Sequence, residues 1–118
     1  MSSRFVVQEH TTPDGVHWDL MLEKGEVLTT FRLEQPPEVA STGVVRATKI
    51  FDHSLRFLTY EGPVQKGTGK VRIVDRGTFD VPVEGENVIS LRLQGATLQG
   101  DFALTRIEGA SWQLALRR

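Results

Sequence analysis

The sequence predicts a mainly-β domain of many short strands with little helix, and three observations carry that expectation. Apolar residues recur at every second position almost throughout, the signature of half-buried strands, and no long stretch keeps the 3.6-residue period of a helix. Glycines punctuate the apolar runs at short intervals. The length of 118 residues, with 39% hydrophobic and 25% charged residues, suits one soluble globular domain over residues 1–118 and is too short for two ordinary ones. Many short strands in one chain imply a barrel or a sandwich.

The period-two pattern places strands at 4–8, 17–23, 27–33, 44–50, 70–74, 78–81, 88–93, 100–106 and 112–116. Gly25, Gly77, Gly95 and Gly109 fall between runs, where a tight turn would use positive φ. Asp75-Arg76-Gly77-Thr78 looks like a hairpin turn and Gly67-Thr68-Gly69-Lys70 like a flexible loop. Pro36-Pro37 interrupts the chain between Leu33 and Gly43, the longest expected loop.

Composition excludes several function classes. With no cysteine there is no disulfide framework, thiolate zinc site, iron-sulfur cluster or cysteine nucleophile. The run Phe5-Val6-Val7 is too short for a signal peptide and nothing approaches a membrane span, so the cytoplasm is the expected location. Neither the P-loop spacing nor a Gly-x-Ser-x-Gly elbow occurs. The net charge is −1, but residues 43–80 carry an excess of base through Arg46, Lys49, Arg56, Lys66, Lys70, Arg72 and Arg76. That excess reads either as solvated surface or as a phosphate-contacting face.

Chemistry concentrates in the second strand. There His17, Asp19, Met21 and Glu23 share one face, while Trp18, Leu20 and Leu22 form the buried one. The segment from Thr11 to Val16 contains Pro13 and Gly15 and can fold back, which brings His10 to His17. Two imidazoles and one carboxylate suit a divalent first-row metal with open positions. The plainer alternative has His10 ending an edge strand and His17 capping a hairpin, both solvated. The third histidine, His53, stands beside Asp52, as a surface hydrogen-bonding pair or as a catalytic group.

Together, Arg4-Phe-Val-Val-Gln-Glu-His10 and His17-Trp-Asp-Leu-Met-Leu-Glu23 resemble the 3'-phosphoesterase domain of bacterial DNA ligase D and its stand-alone relatives. Asp52-His53-Ser-Leu, Tyr60-Glu-Gly62, Val71-Arg-Ile-Val-Asp-Arg-Gly-Thr-Phe79 and the segments 91–95, 98–106 and 112–116 continue the likeness over nearly the whole chain. The resemblance implies a compact antiparallel β-barrel of about eight short strands with little helix. It also implies a manganese-dependent enzyme that removes 3'-phosphate or 3'-ribonucleotide from DNA primer ends. On it, His10, His17 and Asp19 fall on the metal ligands, with His17 and Asp19 also counted as catalytic, and His53 falls on a phosphate-contacting histidine.

Four positions depart from the family pattern: Met21 replaces an arginine that grips phosphate, Phe57 a tyrosine, Gln35 a lysine and Phe51 a glutamate. Arg46 and Lys49, or Lys70, are the candidate phosphate-binding substitutes. Met21 is expected to project beside the metal and to tolerate arginine. The expected partners are DNA or RNA/DNA 3' ends and end-joining repair proteins, with a monomeric chain. The competing reading is a catalytically weakened or inactive β-barrel module that binds a metal, a nucleic-acid end or a protein; a third is a metal-free structural barrel.

Overall fold

The computed structural model describes residues 3–64 and 69–117. Its strands are β1 (Ser3–Thr12), β2 (Gly15–Lys24), β3 (Val27–Leu33), β4 (Val44–Ser54), β5 (Gly62–Pro63), β6 (Lys70–Glu84), β7 (Val88–Gly95), β8 (Gln99–Glu108) and β9 (Ser111–Leu116). Short 3₁₀ turns at Pro37–Ser41 and Leu55–Leu58 are the helical elements among the described residues, and none is long and apolar enough to cross a membrane.

The sheet runs β1-β2-β3-β4-β9-β8-β7-β6, and an antiparallel β1–β6 pairing closes it into an eight-stranded barrel, with the two-residue β5 added at β6. Closure leaves these eight strands no free edge and encloses one main core. Phe5, Leu20, Phe31, Leu33, Phe102, Leu104 and Leu114 fill it, and Phe31 meets Trp112 edge-on at 5.4 Å between ring centroids.

The barrel and its small helical content agree with expectation; one stretch does not. The strands expected at 70–74 and 78–81 are a single strand, β6, with Asp75-Arg76-Gly77-Thr78 inside it rather than at a turn. The first part of β6 pairs with β1 and the last with β7, and a bulge opposite Val7/Gln8 bends it between them. Gly77 and Gly95 accordingly lack positive φ, unlike Gly25 and Gly109. They are paired across β6 and β7 because there is no room for a side chain. A Cβ on Gly77 would stand 2.0 Å from the Gln94 carbonyl oxygen, and one on Gly95 2.6 Å from the Phe5 ring and 2.7 Å from the Asp75 carboxylate.

A second, smaller apolar cluster lies outside the barrel wall, where Val6, Met21, Leu28 and Leu58 pack with Leu55, Phe57 and Ile73. The chain after β4 crosses the outer face of β1–β3 and covers it. Gln8 holds this strap, its Nε2 donating to the carbonyls of Phe57 (3.0 Å) and Tyr60 (2.9 Å). Glu61 accepts from the Ile73 amide at 2.8 Å and fixes its far end.

Candidate metal centre

Two tight hairpins assemble the site. Thr12 and Gly15 close β1 onto β2 around Pro13-Asp14, with the Asp14 amide donating to the Thr12 hydroxyl, and the register places His10 opposite His17. The next hairpin, with Lys24 opposite Val27, sets Asp19 opposite Arg32. Since side chains alternate along a strand, Gln8 and His10, His17 and Asp19, and Thr30 and Arg32 all meet on the outer face.

His10 Nδ1 lies 3.1 Å from His17 Nε2, and His17 Nε2 lies 3.5 Å from Asp19 Oδ2. One ligand atom from each of the three residues falls within 4.8 Å of the others. Two donors about 2.1 Å from one ion and about 90–110° apart around it are about 3.0–3.4 Å from each other, so the observed spacings fit a shared ion. The cluster also leaves His10 Nε2 and Asp19 Oδ1 buried without a hydrogen-bond partner. Gly69, at φ 138°, closes against it, since a Cβ there would come within 3.0 Å of His10 Nε2 and 2.3 Å of the Thr11 carbonyl.

The second strand was expected to be buried on one face, yet here it is covered on both. Asp19 is 3% exposed and Met21 1%, because the strap seals the outer face. Burial pushes the Asp19 carboxyl up to about 6, against the opposing pull of Arg32. Burial, helped by Arg32 and His10, pushes His17 down to about 4. His10 is lowered for the same first reason, then by Arg32 and His53. At neutral pH both imidazoles are therefore uncharged, the form that ligates metal.

His53 is on β4, opposite Leu28. The Thr30 hydroxyl donates to the Leu28 carbonyl at 3.0 Å, so its oxygen accepts from His53 Nδ1 at 2.8 Å. That contact places the proton of the neutral ring on Nδ1 and leaves Nε2 a lone pair. Burial lowers the His53 pKa, partly offset by the Phe51 carbonyl. Phe51, 70% exposed, stacks on the His53 ring at 4.8 Å and 17°, and Phe57 meets it edge-on at 5.5 Å.

The remaining predicted residues scatter. Arg46 is exposed, opposite Gln113 and two residues from Thr48, which faces Arg32. Lys49 is not brought to the cluster: it faces the barrel mouth opposite Phe31, in a cavity of about 610 Å³ floored by Leu22, Phe31, Phe79 and Leu91. Lys70 pairs with Thr11, one position past His10, and Lys66 lies outside the described residues. Met21 does not project beside the cluster with room for arginine; it fills the apolar pocket under Leu58. Gln35 is exposed in the bend after β3.

Arg32 and Thr30 were missed. The signal was available, because a hairpin pairing Lys24 with Val27 puts Arg32 opposite Asp19 by counting back along both strands.

The family model for the DNA Ligase D 3'-phosphoesterase domain matches residues 8–106, a span that holds every side chain of this cluster. The chain belongs to that family. It is 34% identical over 118 residues, 92% of this chain, to the multifunctional non-homologous end joining protein LigD of Mycobacterium bovis. The multifunctional non-homologous end joining DNA repair protein LigD of Mycobacterium tuberculosis (strain CDC 1551 / Oshkosh) shows the same 34% over 92% of this chain. LigD of Mycolicibacterium smegmatis is 30% identical over 94% of it. The matched region makes up only 15–16% of the length of these relatives. Membership in the 3'-phosphoesterase family accords with the barrel and with a His/Asp cluster able to hold a metal.

Proposed function

We propose that this domain is a metal-dependent phosphoesterase that removes 3'-phosphate or 3'-ribonucleotide from DNA primer ends. The observation that carries the reading is the convergence of His10, His17 and Asp19, with ligand spacing and two orphaned polar atoms, in a chain of this family. These three residues hold a divalent cation, manganese in our reading. When bound, such an ion polarises a phosphoryl oxygen and lowers the pKa of a water.

The protein's own groups do the rest. His17 and His10 stay neutral through burial and present lone pairs to the site. Thr30 holds His53 through Nδ1, and Nε2, once protonated, donates to a phosphate oxygen or to the leaving oxygen. Gln8 keeps the strap, and with it Phe57, against the site. Arg46 contacts phosphates of the bound strand, while Lys49 at the barrel mouth does not. DNA or RNA/DNA 3' ends are the substrates, and end-joining repair proteins the partners.

The test is a manganese-dependent assay on labelled primer–templates ending in 3'-phosphate or a 3'-ribonucleotide. We expect a 3'-hydroxyl product, lost in His17→Ala. A folded protein that binds manganese at these residues and turns over neither end would instead be the non-catalytic module, a reading favoured by the absence of a hydroxyl at Phe57.

A further inference from the structure

We propose that Arg32 is the residue that recognises the terminal phosphate at this site, a specificity contact that rests on the phosphoesterase reading above. Arg32 is set by register directly across from Asp19, on the face that carries His10 and His17. Its Nε stands 3.7 Å from Asp19 Oδ1, close enough for charge attraction and too far for a hydrogen bond. The carboxylate oxygen remains without a hydrogen-bond partner. The Arg32 side chain is 44% exposed, so it borders the cluster and also reaches solvent.

Three other arginines are committed, whereas Arg46 stands farther along β4, two residues from the Thr48 that faces Arg32. Arg4 makes two side-chain hydrogen bonds to Glu23, at 3.1 and 2.7 Å, Arg72 pairs with Glu9 at 3.1 Å, and Arg56 lies over the rings of Phe57 and Tyr60. On the face itself, Met21 and Phe57 offer an oxyanion no side-chain hydrogen-bond donor. Arg32 supplies a planar, permanently charged fork that fits two oxygens of one phosphate, and its loose pairing with Asp19 leaves those donors available. A terminal phosphate monoester, with more charge and more free oxygens than an internal diester, gains most from it. Arg32 therefore selects a 3'-phosphate end over a 3'-hydroxyl end.

The experiment compares two otherwise identical fluorescent oligonucleotides, one ending in 3'-phosphate and one in 3'-hydroxyl. Their binding is measured by anisotropy in chelator, where nothing turns over, for the unaltered chain, Arg32→Met and Arg32→Lys. We expect the unaltered chain to prefer the 3'-phosphate strand and Arg32→Met to lose about tenfold in affinity for that strand alone, the scale of one charge-assisted contact. Arg32→Lys should recover part of the loss. Manganese titration supplies a second readout. If Arg32 merely braces Asp19, Arg32→Met weakens metal binding; if it is free to meet phosphate, removing its positive charge leaves metal binding equal or tighter. Undiminished preference in a folded Arg32→Met variant, or weaker metal binding, overturns the assignment while wild-type turnover leaves the phosphoesterase reading intact. A wild-type chain that neither prefers the 3'-phosphate strand nor turns it over overturns both.

Discussion

Asp19 and Asp75 are both 3% exposed, yet their surroundings are opposite. The Asp75 carboxylate accepts from four backbone amides: Arg76 (2.9 Å), Ala96 (2.8 Å) and Thr97 (3.2 Å) on Oδ1, and Leu98 (2.8 Å) on Oδ2. It ties β6 to the turn between β7 and β8, and the side-chain-free pair Gly77 and Gly95 lets the strands approach closely enough. Asp19 has two imidazoles and a guanidinium around it and no hydrogen bond to Oδ1. A buried charge fully met by fixed amides belongs to the fold, whereas one left partly unmet costs it stability.

The largest effect should come from removing the satisfied carboxylate. Asp75→Ala leaves four amides without their acceptor and should cost about 3–5 kcal/mol, read as a lower urea midpoint. A loss under about 1 kcal/mol would show that water replaces the carboxylate and would break the contrast.

Met21→Arg would turn Asp19 into something like Asp75 by bringing a donor to the same face. The guanidinium must enter the pocket of Val6, Leu28 and Leu58, so we expect about 2–4 kcal/mol of destabilisation and no gain in phosphoesterase rate. Faster hydrolysis by a stable Met21→Arg protein would show instead that the strap yields.

Asp19→Asn should act in the other direction on stability. In the folded, metal-free chain the carboxyl titrates near 6 instead of 3.8, so the native state binds more protons between those values. Its contribution therefore falls as pH rises from about 3.8 to 6, and the ionised group costs up to about 3 kcal/mol above that window. In chelator, Asp19→Asn should match the parent near pH 4 and exceed it at pH 7, while manganese affinity drops at least about tenfold. Denaturant titrations at both pH values and metal titration at pH 7 check the pair of signs.

The smallest expected effect belongs to Gln8, which is opposite Asp19 and holds the cover over it. Gln8→Ala removes two hydrogen bonds and should cost about 1–2 kcal/mol, with faster hydrogen exchange confined to residues 55–61. Exchange that rises equally around Asp75 would mean that the two regions are not independent.

The amino-acid sequence by itself determined what short-range geometry controls. Alternation in Trp18, Leu20 and Leu22 set which side of β2 faces the barrel, and the turn at Pro13-Asp14 brought His10 to His17, because a two-residue connection permits only one register. The metal-type cluster was legible for that reason, and counting from the Lys24–Val27 hairpin made Arg32 equally accessible. Only the tertiary structure decided what depends on segments distant in the chain. Whether Asp75 and Gly77 make a turn or a strand interior turned on Gly95 and residues 96–98, whose amides and close backbone reach them from about twenty positions away. Met21 reads as a side chain beside the metal ligands until the strap between Leu55 and Leu58 packs on it, and the depth at which Asp19 is buried likewise shows only in the closed barrel. Burial is a property of the closed barrel with its strap in place, and local pattern cannot encode which distant segment excludes the solvent.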